Sequence, residues 1–197
     1  AGVPLTVQGM RTGMCGGGVP AGGNVLTTEK MSRVTGVGRD EKGYFLRVQP
    51  GVTVRQLNDF IRKRGYTALP SVTPGAAEAL AAEKDPFFYP VDPTELNGSL
   101  GGNIATNASG PRTFKYGPTR DWVRRVRVVL SDGCVLDLTR GELRAEGRRL
   151  VLPFADGPRT VILPSYEYNR RVKNTAGMLA EDGMDAVDLF VGSEGIF

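Results

Sequence analysis

The sequence predicts an α+β fold made of two subdomains, 1–70 and 71–197. Strand and helix patterns alternate over the first 70 residues, whereas strand patterns dominate after residue 123. Each part also contains a glycine-rich segment, and glycine is unusually frequent, with 27 residues among 197. The length is sufficient for two small subdomains that share a core.

The first subdomain contains three short strand patterns. Residues 4–7 are predicted to form a buried strand, Val25 and Leu26 a second strand, and residues 44–48 a third. The stretch before the third strand reads as a polar turn. Because strands alternate with a helix here, we expect a layer with some parallel pairing.

The clearest helix of the first subdomain follows Thr53. This residue is the predicted N-cap, and Gln56 completes a capping box. Basic residues at 62–64 complement the carboxyl end of the helix, and Gly65 is the predicted stop. Helical spacing places four apolar side chains on one face: Val54, Leu57, Phe60 and Ile61.

The second subdomain begins with an alanine-rich helix pattern at 76–84 and prolines that force extended or turning chain. Residues 97–110 form a second glycine-rich loop. Residues 123–130 and 134–138 are predicted to form a hairpin. A second hairpin is expected from 143–145 and 149–152, and residues 189–191 read as a strand before a glycine turn.

Composition excludes several classes of site. The chain has no histidine, which removes imidazole bases, Ser-His triads and histidine-ligated zinc. No metal site is predicted, since the two cysteines, Cys15 and Cys134, lie far apart and show no metal-ligand spacing. The sequence assigns no catalytic residue. The basic clusters are scattered among acids, which favours a solvated face over a nucleic-acid groove. No apolar run reaches 18 residues, so we expect no transmembrane segment. The presence of only two cysteines favours a reducing compartment, and we expect a cytoplasmic location.

The first glycine-rich loop, residues 9–18, has the composition of an anion-binding loop. Glycines leave no Cβ between the backbone and a ligand, so consecutive N–H groups can converge on a phosphate. Thr12 adds a hydroxyl donor, and Arg11 either adds charge or points into solvent. The loop has neither the Gly-Lys-Ser/Thr of a Walker A element nor the Gly-x-Gly-x-x-Gly of a Rossmann fingerprint. A flexible surface loop is the alternative interpretation.

The second glycine-rich loop offers a flat wall with polar edges. Gly101 and Gly102 allow close approach of a planar ligand, and Asn103, Thr106 and Asn107 supply amide and hydroxyl partners. The alternative is a tight structural turn between the subdomains.

Several motifs in order along the chain resemble the FAD-linked oxidase family, of the vanillyl-alcohol oxidase type. Within that family, the glycolate oxidase D-subunit and D-lactate dehydrogenase group is nearest. The resemblance spans nearly the whole chain and rests on the segments 4–17, 48–53, 92–94, 100–112, 115–117, 173–177 and 192–195.

The resemblance implies a two-subdomain fold, truncated at both ends, with FAD held between the subdomains. Many relatives attach the flavin through a histidine, so the absence of histidine implies non-covalent FAD. Relatives often have glycine where Arg11 stands. The resemblance assigns these cofactor-binding residues: Gly9, Met10, Arg11, Thr12, Gly13, Gly16, Gly17, Ser99, Leu100, Gly101, Gly102, Asn103, Thr106, Asn107, Gly110, Glu194 and Gly195.

The function implied by the resemblance is oxidation of a 2-hydroxy acid, such as glycolate, D-lactate or 2-hydroxyglutarate, with hydride passing to flavin N5. The partners implied are a small hydroxy-acid substrate and an electron acceptor. The sequence identifies neither that acceptor nor the oligomeric state. The chain by itself is expected to be inactive, because the catalytic residues of the family follow the Gly-Ser-Glu-Gly element. The alternatives are an enzyme like alkylglycerone-phosphate synthase and a catalytically incomplete flavin-binding module.

Overall fold

The structure, a computed structural model, describes residues 2–91, 93–169, 171–172, 174 and 177–196. It mixes helices and short strands, which confirms the predicted α+β class. Contacts within the chain define two compact units, residues 1–103 and 104–197. This division lies later in the chain than the predicted boundary at residue 70. Among the residues described, none of the helices is long and apolar enough to cross a bilayer.

The first unit contains two pairs of strands and three helices, and the last helix continues past Asn103. Its elements are β1 (Leu5–Gln8), β2 (Asn24–Thr27), β3 (Val34–Asp40), β4 (Gly43–Val48), α1 (Val54–Lys63), a 3₁₀ turn (Tyr66–Ala68), α2 (Ala76–Ala82) and α3 (Leu100–Ala105). β1 pairs with β2 in parallel, and β3 pairs with β4 in antiparallel register.

Strand β1 forms where the sequence predicts it, but the prediction that it is buried was wrong. Leu5 is 58% exposed and Val7 is 49% exposed. Its partner β2 is exposed along its whole length. Parallel strands are usually covered on both faces, so this exposed pair is an exception to that rule.

Strand β3 was missed because its glycines resemble turn residues. A Cβ at Gly38 would overlap the ring of Phe45 on β4, so the glycine makes room for an aromatic side chain across the hairpin. Val37, between Gly36 and Gly38, is fully buried. It packs with Tyr66 and the first turn of α2 in one of the two small cores of this unit.

Helix α1 confirms the predicted capping box. Thr53 Oγ1 accepts from the Gln56 N–H at 3.1 Å, and Gln56 Oε1 accepts from the Thr53 N–H at 2.9 Å. The helix ends at Lys63 with Arg64 as its C-cap, so Gly65 lies just beyond the end as predicted, but the left-handed residue is Arg64, with φ 53°. Its guanidinium donates to the carbonyl oxygens of Ala81, at 3.3 Å, and Glu83, so these contacts at the end of α2 hold Arg64 in place.

Over its described residues, the second unit contains two hairpins and two short helices. Its elements are α4 (Thr113–Tyr116), a 3₁₀ turn (Thr119–Trp122), β5 (Arg125–Val129), β6 (Val135–Thr139), β7 (Arg149–Phe154), β8 (Gly157–Ile162) and α5 (Val187–Phe190). The hairpin of β5 and β6 confirms the first hairpin predicted here.

Two other predictions for this unit were wrong. A tight turn does form around Glu146 and Gly147, where the backbones of Glu146 and Arg149 pair, but β7 pairs along its length with β8 rather than with residues 143–145. Residues 187–190 form the helix α5 rather than a strand. All four side chains of α5 are buried, and three of them belong to the apolar core of the unit, which explains why the segment resembles a buried strand.

Candidate functional site

In the first unit, the loop that follows β1 lies against the residues before α3. A Cβ added at Gly9 would overlap Ser99 Oγ, and one added at Gly98 would lie 3.3 Å from Thr12 Oγ1. A Cβ at Gly9 would therefore force the Ser99 side chain to move, and one at Gly98 would make a tight contact with Thr12. The two glycine-rich segments, far apart in sequence, meet here within one unit.

A third segment, residues 49–54, holds the start of α3 in place. The N–H of Leu100 donates to Val52 O at 2.8 Å, and the N–H of Gly101 donates to Pro50 O at 2.9 Å. A Cβ at Gly101 would lie 2.7 Å from Pro50 Cβ. The glycine thus allows the helix to pack directly on the chain that leads into α1.

Part of the predicted second loop is helical, so the prediction of a loop throughout was wrong. Ser99 O accepts from the Asn103 N–H at 2.8 Å, and Ser99 Oγ accepts from the Gly102 N–H at 3.3 Å. This serine thus accepts from two N–H groups in the first turns of α3, as an N-capping residue does. Packing against Pro50 supports the helix despite two glycines, which have low helix propensity.

Asn103 carries a buried donor that the protein does not use. The residue is 6% exposed, and within the described part of the chain its Nδ2 has no hydrogen-bond partner. Leaving a buried amide donor unpaired costs about 1–3 kcal/mol. An acceptor atom of a bound ligand or of a water molecule at this point would remove that cost.

The glycine-rich loop itself is exposed from residue 11 to residue 17. A Cβ at Gly13 would have no protein atom within 4 Å, and Gly16 has φ 76°. Arg11 has φ 57°, a conformation uncommon outside glycine and asparagine, and its guanidinium forms an ion pair with Glu29. The loop therefore presents open backbone, with one side chain held in a strained conformation.

In the second unit, Asn107 is used for internal hydrogen bonding. It is 1% exposed, has φ 47°, and its Oδ1 accepts from the Arg120 N–H at 3.0 Å. Its own N–H donates to Ile104 O at 3.1 Å. The side-chain oxygen of Asn107 thus fixes the segment that leads out of α3, and sequence reasoning had treated it as free for a ligand.

The Gly-Ser-Glu-Gly turn lies against the end of α3. The N–H groups of Gly192 and Glu194 donate to the carbonyl oxygens of Ile104, at 2.9 Å, and Ala105, at 2.7 Å. Gly192 has φ 84° and Glu194 has φ 54°. Glu194 and Gly195 are exposed, so two of the predicted site residues lie on the surface.

A buried ionic cluster, which the sequence did not reveal, supports that turn. Asp188 Oδ1 lies 3.0 Å from Arg120 and 2.7 Å from Arg140, and Asp188 Oδ2 accepts from Arg140 at 3.0 Å. The Arg120 guanidinium also donates to Val191 O, the residue before Gly192. We call Arg120, Arg140 and Asp188 the ionic cluster.

Opposing effects set the pKa of Asp188. Burial alone would raise it, but hydrogen bonds from Arg140 and the charges of Arg140 and Arg120 outweigh burial, so the pKa is lowered from the ordinary value of an aspartate. Asp188 is therefore ionised at neutral pH and holds both guanidinium groups. No sequence motif signals this cluster, since its members lie far apart along the chain.

A cavity of about 470 Å³ opens within the second unit. Asn107 and Arg120 form part of its wall, together with the aromatic rings of Phe114 and Tyr168 and the amide of Asn174. Of the predicted closing element at 173–177, residues 173, 175 and 176 lie outside the described residues, as does Asp92 of the segment 92–94.

The predicted site residues thus form two groups. The first unit contains Gly9, Met10, Arg11, Thr12, Gly13, Gly16, Gly17, Ser99, Leu100, Gly101, Gly102 and Asn103. The second contains Thr106, Asn107, Gly110, Glu194 and Gly195. Over the described residues, no group of three acidic or cysteine side chains is arranged to hold a metal ion.

A family model described as FAD binding domain matches residues 1–82 and 70–139. The chain belongs to this FAD binding domain family. The resemblance inferred from the motifs is therefore confirmed, and FAD is the cofactor that the family binds.

Curated relatives include enzymes of hydroxy-acid oxidation. The chain is 39% identical over 137 residues to D-lactate dehydrogenase of Anaerostipes hadrus, covering 69% of the chain and 24% of that protein. It is 32% identical over 197 residues to glycolate oxidase subunit GlcD of Bacillus subtilis, covering 98% of the chain and 29% of that protein. The chain thus spans between a fifth and a third of the length of these relatives.

A solved structure of alkyldihydroxyacetonephosphate synthase shares the fold. The TM-score is 0.50 with 18% sequence identity, and the match covers 98% of this chain and 26% of the other. At that identity the similarity concerns the fold alone.

Proposed function

We propose that the first unit binds the pyrophosphate of FAD with its glycine-rich loop and the start of α3. The carrying observation is the approach of Gly9 and Thr12 to the segment 98–103, where the buried Nδ2 of Asn103 has no partner among the described residues. The hydroxyls of Thr12 and Ser99 and the open N–H groups of the loop supply further donors. The family match supports the identity of the ligand.

Residues of the second unit take a different part in this proposal. Thr106, Asn107 and Gly110 contact the flavin, while Glu194 and Gly195 contact the nucleotide portion. Asn107 Oδ1 already accepts from the Arg120 N–H, so Nδ2 is the side-chain donor that Asn107 offers in this proposal. The attachment is non-covalent, since the chain offers no histidine.

We further propose that the whole protein oxidises a small 2-hydroxy acid. The relatives named for D-lactate, glycolate and D-2-hydroxyglutarate support this class of substrate. When bound, FAD supplies the hydride acceptor for such a reaction. The role of this chain is to hold and orient the cofactor, and the donors described above do that by hydrogen bonding.

A pair of glycine substitutions tests the cofactor site. Gly13→Ala should leave the free energy of unfolding within about 0.5 kcal/mol, because the added Cβ meets no protein atom and φ is not positive. It should nevertheless weaken FAD binding at least about tenfold, because the Cβ would occupy the space where a pyrophosphate approaches the backbone. Flavin fluorescence titration and chemical denaturation measure the two quantities.

The matched control is Gly65→Ala, whose Cβ would make only an ordinary contact with Phe60 at 3.7 Å. It should leave FAD affinity unchanged. If Gly13→Ala binds FAD as tightly as the wild type, the pyrophosphate does not approach this loop. A substrate panel on the natural full-length protein, with a dye as electron acceptor, tests the hydroxy-acid proposal, and no turnover of any 2-hydroxy acid would contradict it.

A further inference from the structure

Arg11 holds a conformation that its side chain disfavours. Its φ of 57° lies in the left-handed region, where a Cβ is strained, and its side chain is 54% exposed. Glycine would adopt this backbone without strain. A strained arginine at an exposed loop position therefore indicates that its charged side chain makes an interaction that glycine could not make.

The partner of Arg11 is Glu29, which the fold places beside the start of the glycine-rich loop. The Thr28 N–H donates to Gln8 O at 2.9 Å, and Thr28 Oγ1 donates to the same oxygen at 3.2 Å. These bonds pin the end of β2 to the residue before Gly9. Glu29 follows directly, and its carboxylate pairs with the Arg11 guanidinium.

An unpaired carboxylate at this place would oppose an anionic ligand. The pyrophosphate of FAD carries negative charge, and like charges within a Debye length repel at physiological salt. The neighbouring Lys30 is exposed, and Glu29 forms its ion pair with Arg11 instead. Arg11 is thus the cation that cancels the charge of Glu29 next to the loop.

We propose that Arg11 is a positioning residue that compensates Glu29, so that the loop can accept a pyrophosphate through its N–H groups. This inference rests on the proposed binding of FAD to the loop. Arg11 stays on Glu29 when the cofactor binds and does not itself contact the phosphates. The strain of its backbone is retained because the charge is required.

A double-mutant cycle in the natural full-length protein tests this role, with FAD as the probe. Arg11→Gly should weaken FAD binding about tenfold at low salt, because it leaves Glu29 unpaired beside the pyrophosphate. Glu29→Gln should bind at least as tightly as the wild type. The double variant Arg11→Gly/Glu29→Gln should regain wild-type affinity within about threefold.

Salt concentration separates repulsion from a structural defect. The deficit of Arg11→Gly should shrink towards zero at about 1 M salt, where the Debye length is about 3 Å. Lys30→Gln controls for net charge and should cause a smaller change than Arg11→Gly. A defect of Arg11→Gly that persists at high salt would contradict charge compensation.

Three further results of the FAD-binding measurements would overturn the inference. If the double variant binds as weakly as Arg11→Gly, then Arg11 contacts the pyrophosphate itself and the inference is overturned. If Arg11→Gly binds like the wild type, its charge has no role and the inference also fails. Absence of saturable FAD binding by the wild type would instead remove the proposed function, and the inference with it.

Discussion

The glycine-rich loop of the first unit and the ionic cluster of the second use charge and backbone in opposite ways. The loop exposes its N–H groups and has only one charged side chain, which is paired with Glu29 at the surface. The cluster buries Arg120 and Asp188, half-buries Arg140, and directs the two guanidinium groups at Asp188 and at carbonyl oxygens. The first unit therefore leaves backbone N–H donors available for a ligand. The second unit uses its guanidinium donors to fix its own chain.

The largest effect that we expect comes from breaking the cluster. Asp188→Asn should lower the free energy of unfolding by about 3–5 kcal/mol, because it leaves the buried Arg120 and the half-buried Arg140 without their counter-charge. Chemical denaturation measures the change. The control is Asp182→Asn, at an exposed pair with Arg148, which should cost at most about 1 kcal/mol. Equal losses in the two variants would show that the cluster does not stabilise the fold.

Acid should remove part of the same stabilisation without a mutation. Above the unfolded-state pKa of about 3.9, Asp188 is ionised in both states and its contribution is complete. Because its folded-state pKa is lowered, the unfolded state takes up a proton first as the pH falls, and stability declines. The difference in unfolding free energy between the wild type and Asp188→Asn should therefore shrink between pH 5 and pH 3. A constant difference over that range would count against the pairing.

A smaller effect is expected where the first unit packs backbone on backbone. Gly101→Ala should destabilise the protein by about 1–3 kcal/mol, because its Cβ would lie 2.7 Å from Pro50 Cβ and 3.0 Å from Pro50 O. The better helix propensity of alanine offsets part of that cost. Thermal or chemical denaturation measures the change against Gly65→Ala. A more stable Gly101→Ala variant would mean that α3 has room to move away from Pro50.

The smallest effect belongs to the capping box of α1. Thr53→Ala should cost about 1 kcal/mol, because the N–H of Gln56 loses its side-chain acceptor. Thr53→Ser keeps the hydroxyl and should lose only a few tenths of that amount. Denaturation midpoints compare the two variants, and equal midpoints would show that the hydroxyl contributes nothing at this helix end.

Local signals were the ones that sequence reasoning interpreted correctly. The capping box of α1 and the alternation of β5 and β6 depend on residues close together in the chain, so they are visible without the fold. The motif order also revealed the family, which the family model confirms. The roles of the individual site residues stay predictions.

Interactions between distant residues were the ones that it missed. Gly38 resembles a turn residue until the ring of Phe45 is seen across the hairpin. Arg64 takes a left-handed conformation because carbonyl oxygens of α2 receive its guanidinium. The ionic cluster joins Arg120 to a residue near the other end of its unit, and no periodicity encodes such a contact.

The parallel pairing of β1 with β2 has a consequence for the order in which the chain folds. The other strand pairs are hairpins closed by short turns, and hairpins form in about 1–10 μs. β1 and β2 must instead close the glycine-rich loop, with its high conformational entropy, and their exposed side chains give little burial in return. We therefore expect β1, β2 and the loop between them to become ordered last during folding, and to open first in hydrogen exchange. A ligand seated in the loop would then slow its opening more than that of any hairpin in the chain.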